Sequence, residues 1–142
     1  MRGRETFDAS TDRWSRSDWW GVVLDAPDAP ALAHFYSDLL GWEISSEGAD
    51  GAALGPAEGV AYLAVQTESK YVRPTWPAAE QGQQMMMHLD FEVVDLEAAV
   101  GHALELGAEE AAYQPQDNVR VMLDPAGHPF CLYAHEPDQQ DQ

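Results

Sequence analysis

The chain has 142 residues, 45% of them hydrophobic, which is enough for one domain with a sizeable core. Its formal net charge is −18, and from Asp18 onward 22 acids face only Lys70, Arg73 and Arg120, a net of −19. Such a body repels nucleic-acid phosphates and anionic lipid, and its charge is explained either by plain solubility or adaptation to salt, the first expectation, or by steering of a cationic ligand. Cys131 is the only cysteine, so no internal disulfide or cysteine-based zinc cage forms. No apolar run approaches the roughly 20 residues needed to span a bilayer, and residues 1–17 lack a secretory pattern. The expected address is the cytoplasm, with neither nucleic acid nor membrane as partner.

In chain order, residues 1–17 read as a flexible tail holding four of the seven basic residues, and Trp14 there is free to dock on the body or a partner. Trp19–Ala26 is β-branched and apolar, as a largely buried strand requires. Asp28 suits an N-cap, Pro30 a first helical turn, and Leu32, Phe35, Tyr36, Leu39 and Leu40 form one apolar stripe before Gly41 stops the helix. Short strands are predicted over Trp42–Ser46, Gly51–Leu54 and Val60–Gln66. Residues 67–84 are polar, carry Pro74, Trp76 and Pro77, and read as a connecting loop. Trp76 either rims a pocket or caps an exposed core edge.

The second half repeats the order. Met87–Val93 alternates strictly, Asp95 caps a helix ending at Gly107, and strands are predicted over Glu109–Tyr113, Val119–Leu123 and Pro129–Ala134. An offset of 67 residues carries Asp28 onto Asp95 and Gly21 onto His88, and LGPA at 54–57 echoes LDPA at 123–126. This is an internal duplication. The expected division is one domain over 18–135, with module one at 18–66, the linker at 67–84, module two at 85–135, and an acidic tail at 136–142.

Three segments, LDAPDAPALAHFYSDLLGW at 24–42, HLDFEVVDLEAAV at 88–100 and VRVMLDPAGHPFCLY at 119–133, carry a resemblance to the vicinal oxygen chelate superfamily. That superfamily contains glyoxalases, extradiol dioxygenases and bleomycin-resistance proteins, and the glyoxalase-like branch is the most similar. The resemblance implies an α+β fold of two tandem βαβββ modules, their curved sheets surrounding a central cavity, often in a homodimer. It also implies metal ligands on the first and last strand of each module. His88 is a competent ligand, but its module-one counterpart is Gly21, and Cys131 stands where a glyoxalase carries glutamate. In module one the last-strand position falls near Tyr62 or Leu63. A divalent site needs three or four N/O donors, so the standard metal site is broken and no cofactor is expected.

Alternation places His88, Asp90 and Glu92 on one face and Leu89, Phe91 and Val93 on the other. The polar face should look into the cavity, joined by Asp25 in module one and by Cys131 and Tyr133 on the closing strand; Arg120 is expected there too. The same acids are equally well explained as neutralised by Arg120 or wetted at a sheet edge. His88, Asp90 and Glu92 alone spread over about 13 Å, too far to converge on one ion. His34 and His102 fit helix surfaces, His128 a turn, and Cys131 an apolar filler, while His135 has no evident partner.

The candidate ligand-binding residues are therefore Asp25, Trp76, His88, Asp90, Glu92, Arg120, Cys131 and Tyr133, with His88 and Glu92 as an acid–base pair if catalysis occurs. The function expected first is metal-independent capture of a cationic or polar organic molecule. The alternatives are a lyase, isomerase or dioxygenase using His88 as metal ligand or base, and a protein-interaction module with a vestigial pocket.

Overall fold

The structure, a computed structural model, describes residues 12–16 and 18–134. His135 and the tail segments 1–11 and 136–142 lie outside the described residues. The chain divides into two compact units between Tyr71 and Val72, inside the expected linker.

Unit one opens with a 3₁₀ turn at Arg13–Ser15, followed by a short loop in which the Arg16 guanidinium donates to both Asp18 carboxylate oxygens at 2.9 and 2.6 Å. Trp14 is exposed and tilts against Trp19, with ring centroids 5.6 Å apart. Strand β1 (Trp20–Ala26) leads to helix α1 (Ala29–Leu40). The Asp28 carboxylate accepts from the Ala31 N–H at 3.0 Å, and Gly41 closes the helix in the left-handed region at φ 69°. Strands β2 (Glu43–Gly48), β3 (Gly51–Gly55) and β4 (Ala61–Thr67) complete a sheet of order β1-β4-β3-β2, with β1 and β4 parallel. Leu32, Phe35 and Tyr36 of α1 are buried with Leu54, Leu63 and Val65 of the sheet, so this unit's core is the helix–sheet interface.

Unit two begins in the expected loop, which carries a short parallel ladder of β5 (Pro74–Thr75) and β6 (Gln83–Gln84). Strand β7 (Leu89–Val93) and helix α2 (Leu96–Glu105), capped by Asp95, are followed by β8 (Glu109–Glu110), β9 (Val119–Leu123) and β10 (Pro129–Ala134). The sheet order is β7-β10-β9-β8, the same pattern as in unit one. Strand β8 is shorter than predicted, because one side chain replaces the ladder. The Gln114 amide accepts from the Val121 N–H and donates to the carbonyls of Ala111 and Val121, each at 2.8 Å. The fold class is thus α+β, two βαβββ units in tandem, as the sequence implied.

The registers put the repeat on a residue-by-residue footing. In unit one Val23 lies beside Ala64, and in unit two Asp90 lies beside Cys131. The offset of 67 residues that relates the helix caps carries the first pair onto the second. The module-one counterpart of Cys131 is therefore Ala64, next to the expected Leu63 and likewise not a carboxylate.

Candidate functional site

The two faces of the unit-two sheet differ in chemistry. Phe130 and Leu132 of β10 pair with Leu89 and Phe91 of β7 and with Met122 of β9, giving a face packed toward α2. The other face carries Cys131 beside Asp90 and Val121, and Tyr133 beside Glu92 and Val119. His88, directly before β7, joins this second face: its Nε2 lies 3.6 Å from Asp90 Oδ1.

Among the described residues, His88, Asp90 and Cys131 form a group of potential donors, each offering one atom within 4.8 Å of the other two. The imidazole and carboxylate are partly open to solvent, at 41% and 59% side-chain exposure, whereas Cys131 is 9% exposed. Burial, the Asp90 charge and a hydrogen bond to that carboxylate push the Cys131 thiol from 9.0 up to about 11. In the metal-free protein it is a protonated donor, not a nucleophile. Beneath the thiol lies an apolar cluster of Ala111, Val121 and Cys131, against which Trp76, Val119 and Leu123 pack. The Trp76 indole N–H donates to the Tyr113 carbonyl at 3.2 Å, and the two rings lie 6.1 Å apart. This face thus runs from an aromatic, apolar floor to an ionisable edge.

Other predicted residues fall elsewhere. Arg120 pairs with Leu132 across the ladder, so it projects from the α2 face, opposite His88 and Asp90. Its guanidinium donates to the carbonyls of Asp117 and Val119 at 2.7 and 3.0 Å and lies 3.7 Å from Glu110. The expectation that Arg120 joins or neutralises the polar face is corrected by that register. It lines, instead, an open groove of about 910 Å³ with Val94, Leu96, Val100 and Leu104. Asp25 belongs to unit one, where it accepts from the Gln66 amide at 2.6 Å. Glu92 follows His88 by four residues, about 13 Å of strand, so Asp90 is the carboxylate beside the imidazole.

In unit one the three positions equivalent to this donor group offer no donors. Gly21, Val23 and Ala64 occupy the positions of His88, Asp90 and Cys131. A Cβ on Gly21 would meet the Tyr62 ring at 2.4 Å, so the aromatic ring fills the space that a ligand side chain would use. The hard-ion set implied by the superfamily, with donors from both modules, does not fit these residues.

A buried pair escaped sequence reasoning in part. Asp124, 1% exposed, accepts from the backbone N–H groups of Ala126 and His128 at 2.9 and 3.0 Å and holds the His128 ring through Nδ1 at 2.8 Å. The run DPAGHP contained the signal, an acid four residues before a histidine around a glycine turn. Its position between β9 and β10 makes it a structural clasp.

The residues, registers and sheet order define one class of protein: the chain belongs to the glyoxalase-like domain family, whose profile matches residues 21–133. Among individual proteins it is similar to the anthracycline biosynthesis protein DnrV of Streptomyces peucetius, 29% identical over 121 residues. The DauV protein of Streptomyces sp. strain C5 is 29% identical over 122 residues. Each match covers 78% of this chain but 44% of the relative, so the chain spans less than half the length of these curated relatives. Among solved structures, a glyoxalase/bleomycin resistance protein/dioxygenase family enzyme from Burkholderia phytofirmans superposes with TM-score 0.60 at 16% identity, covering 80% of this chain and 95% of the other. A V. cholerae integron cassette protein gives 0.56 at 21% identity, covering 86% and 98%. These structures share the fold, and together with the family match they support the vicinal oxygen chelate superfamily.

Proposed function

We propose that this protein captures a flat organic cation of the aromatic polyketide type on the unit-two sheet face, without the superfamily's usual ion. The observation that carries the reading is the juxtaposition on one face of Trp76, packed beside Cys131, with the carboxylates Asp90 and Glu92. An aromatic floor stacks a planar ring system, and carboxylates hold an ammonium group at its edge. The net charge of −18 raises the local concentration of such a ligand. The named role of DnrV in anthracycline biosynthesis supports a ligand of that chemistry.

Tryptophan fluorescence titration with an amino-sugar anthracycline and with its neutral aglycone tests this. Saturable quenching is expected, tighter for the amine by tenfold or more, unchanged by chelator, and weakened at least tenfold in Trp76→Ala. Absence of saturation up to about 1 mM of either compound would sink the reading.

A second reading rests on the 3.6 Å approach of His88 to Asp90. A carboxylate orients an imidazole for proton transfer, so an isomerase or lyase would use His88 as base. Loss of turnover in His88→Ala with retained quenching separates that reading from capture alone.

A further inference from the structure

We infer that the open groove between α2 and the β8–β9 edge docks a basic amphipathic helix of a partner protein. The two copies of the repeat show why the groove exists. Helix α1 buries Ala29, Leu32, Ala33, Phe35 and Tyr36, whereas α2 buries only Ala103 of its own residues. The offset of 67 residues carries Ala29, Ala33 and Ser37 onto Leu96, Val100 and Leu104, so the second copy has large apolar side chains where the first has small ones. On the first sheet Ala52 is buried beside Val65, and its register equivalent in unit two, beside Leu132, is Arg120. Alanines let the first helix close on its sheet. The larger residues of the second copy stand off from theirs and leave the groove of about 910 Å³.

Leu96, Val100 and Leu104 recur every four residues, so they form one stripe about 12 Å long on the helix. Val94 is fully exposed and extends the stripe, and Leu104 is 45% exposed. A groove open along its length suits a rod-shaped occupant, and a helix laid in such a groove is held by apolar anchors at this spacing. The rim fixes the occupant's charge. Asp95, Glu97 and Glu110 stand against one base, Arg120, whose guanidinium already donates to the Asp117 and Val119 carbonyls and lies 3.7 Å from Glu110. Lysine or arginine flanking an apolar face complements that rim, whereas an acidic helix or a second copy of this acidic chain is repelled. The groove lies within unit two, on the sheet face opposite Cys131 and Asp90, so the inference goes beyond the capture reading and stands apart from it.

The probe is a synthetic helix of about 18 lysines and leucines, the leucines on one face, titrated into the full chain with labelled Leu and Val methyl groups. Saturable shifts are expected at Val94, Leu96, Val100 and Leu104, while Val119 and Val121 on the capture face stay still. Val94→Ser combined with Leu104→Ser should weaken the peptide by about tenfold. Both positions are exposed, so this variant should keep the wild-type melting temperature. Glu97→Gln combined with Glu110→Gln should weaken it by about fivefold. A scrambled peptide of the same composition, lacking an apolar face, should bind about tenfold more weakly than the helix. No saturation up to about 1 mM, equal binding of the scrambled peptide, or shifts confined to Val119 and Val121 overturns the proposal. Groove shifts on raising protein concentration alone assign the face to a second copy and overturn it as well. So does saturation of the same methyls by octylammonium at lower concentration than by the peptide, which assigns the groove to a small amine. Anthracycline titration should move Val119 and Val121 and spare the groove, so this inference and the capture reading fail separately.

Discussion

At the scale of single residues, Cys131 is a thiol held in its protonated form. Burial, and after it the Asp90 carboxylate, disfavour the thiolate and push the thiol up to about 11. The reactive form therefore builds up only as pH rises toward that value. Alkylation of chelator-treated protein by iodoacetamide at pH 8 should run about 100-fold slower than for an unperturbed thiol, the factor that two pKa units give. The rate should climb about tenfold per pH unit up to roughly pH 11, and Asp90→Asn should raise it at neutral pH by removing the neighbouring charge. A rate already level at pH 8 would contradict the assignment. The sequence shows Cys131 and Asp90 at alternate positions of two strands; only the parallel register makes them neighbours. Arg120 teaches the same lesson in reverse. Alternation sets it apart from Val119 and Val121, but which parity faces α2 is decided by its pairing with Leu132.

At the scale of elements, the helices were legible because their ends are written in local chemistry: Asp28 and Gly41 for α1, Asp95 and Gly107 for α2. Seven of the eight strands in the two four-stranded sheets follow apolar runs and glycine or proline boundaries within two residues of their predicted limits. Strand β8 departs most. Its predicted continuation to Tyr113 is replaced by the Gln114 amide, which no periodicity announces. That side chain makes three bonds to backbone groups of the β8–β9 region, including the buried Val121. Gln114→Ala should lower stability by about 1–3 kcal/mol, the range for stranding partly buried backbone groups. Urea denaturation reads the shift in midpoint at an unchanged slope. A midpoint unchanged within error would show that water substitutes for the amide.

At the scale of the whole molecule, charge is the dominant quantity, since from Asp18 onward 22 acids stand against three bases. Capture of a cationic ligand should weaken and slow as salt rises, because the Debye length shrinks from about 10 Å at 0.1 M to roughly 3 Å at 1 M. Capture of the neutral aglycone should stay nearly level over the same range. Parallel salt series by stopped-flow fluorescence compare the two, and equal slopes would remove electrostatic attraction from the account. The duplicated architecture was visible in the offset between Asp28 and Asp95, but the inequality of the copies emerged only from the registers. One copy holds glycine, valine and alanine where the other holds imidazole, carboxylate and thiol. The protein therefore carries its own blank: a backbone of the same topology, in the same tube, with the reactive groups erased. Any reagent that marks both copies alike is responding to shape, and only one that distinguishes them is responding to chemistry.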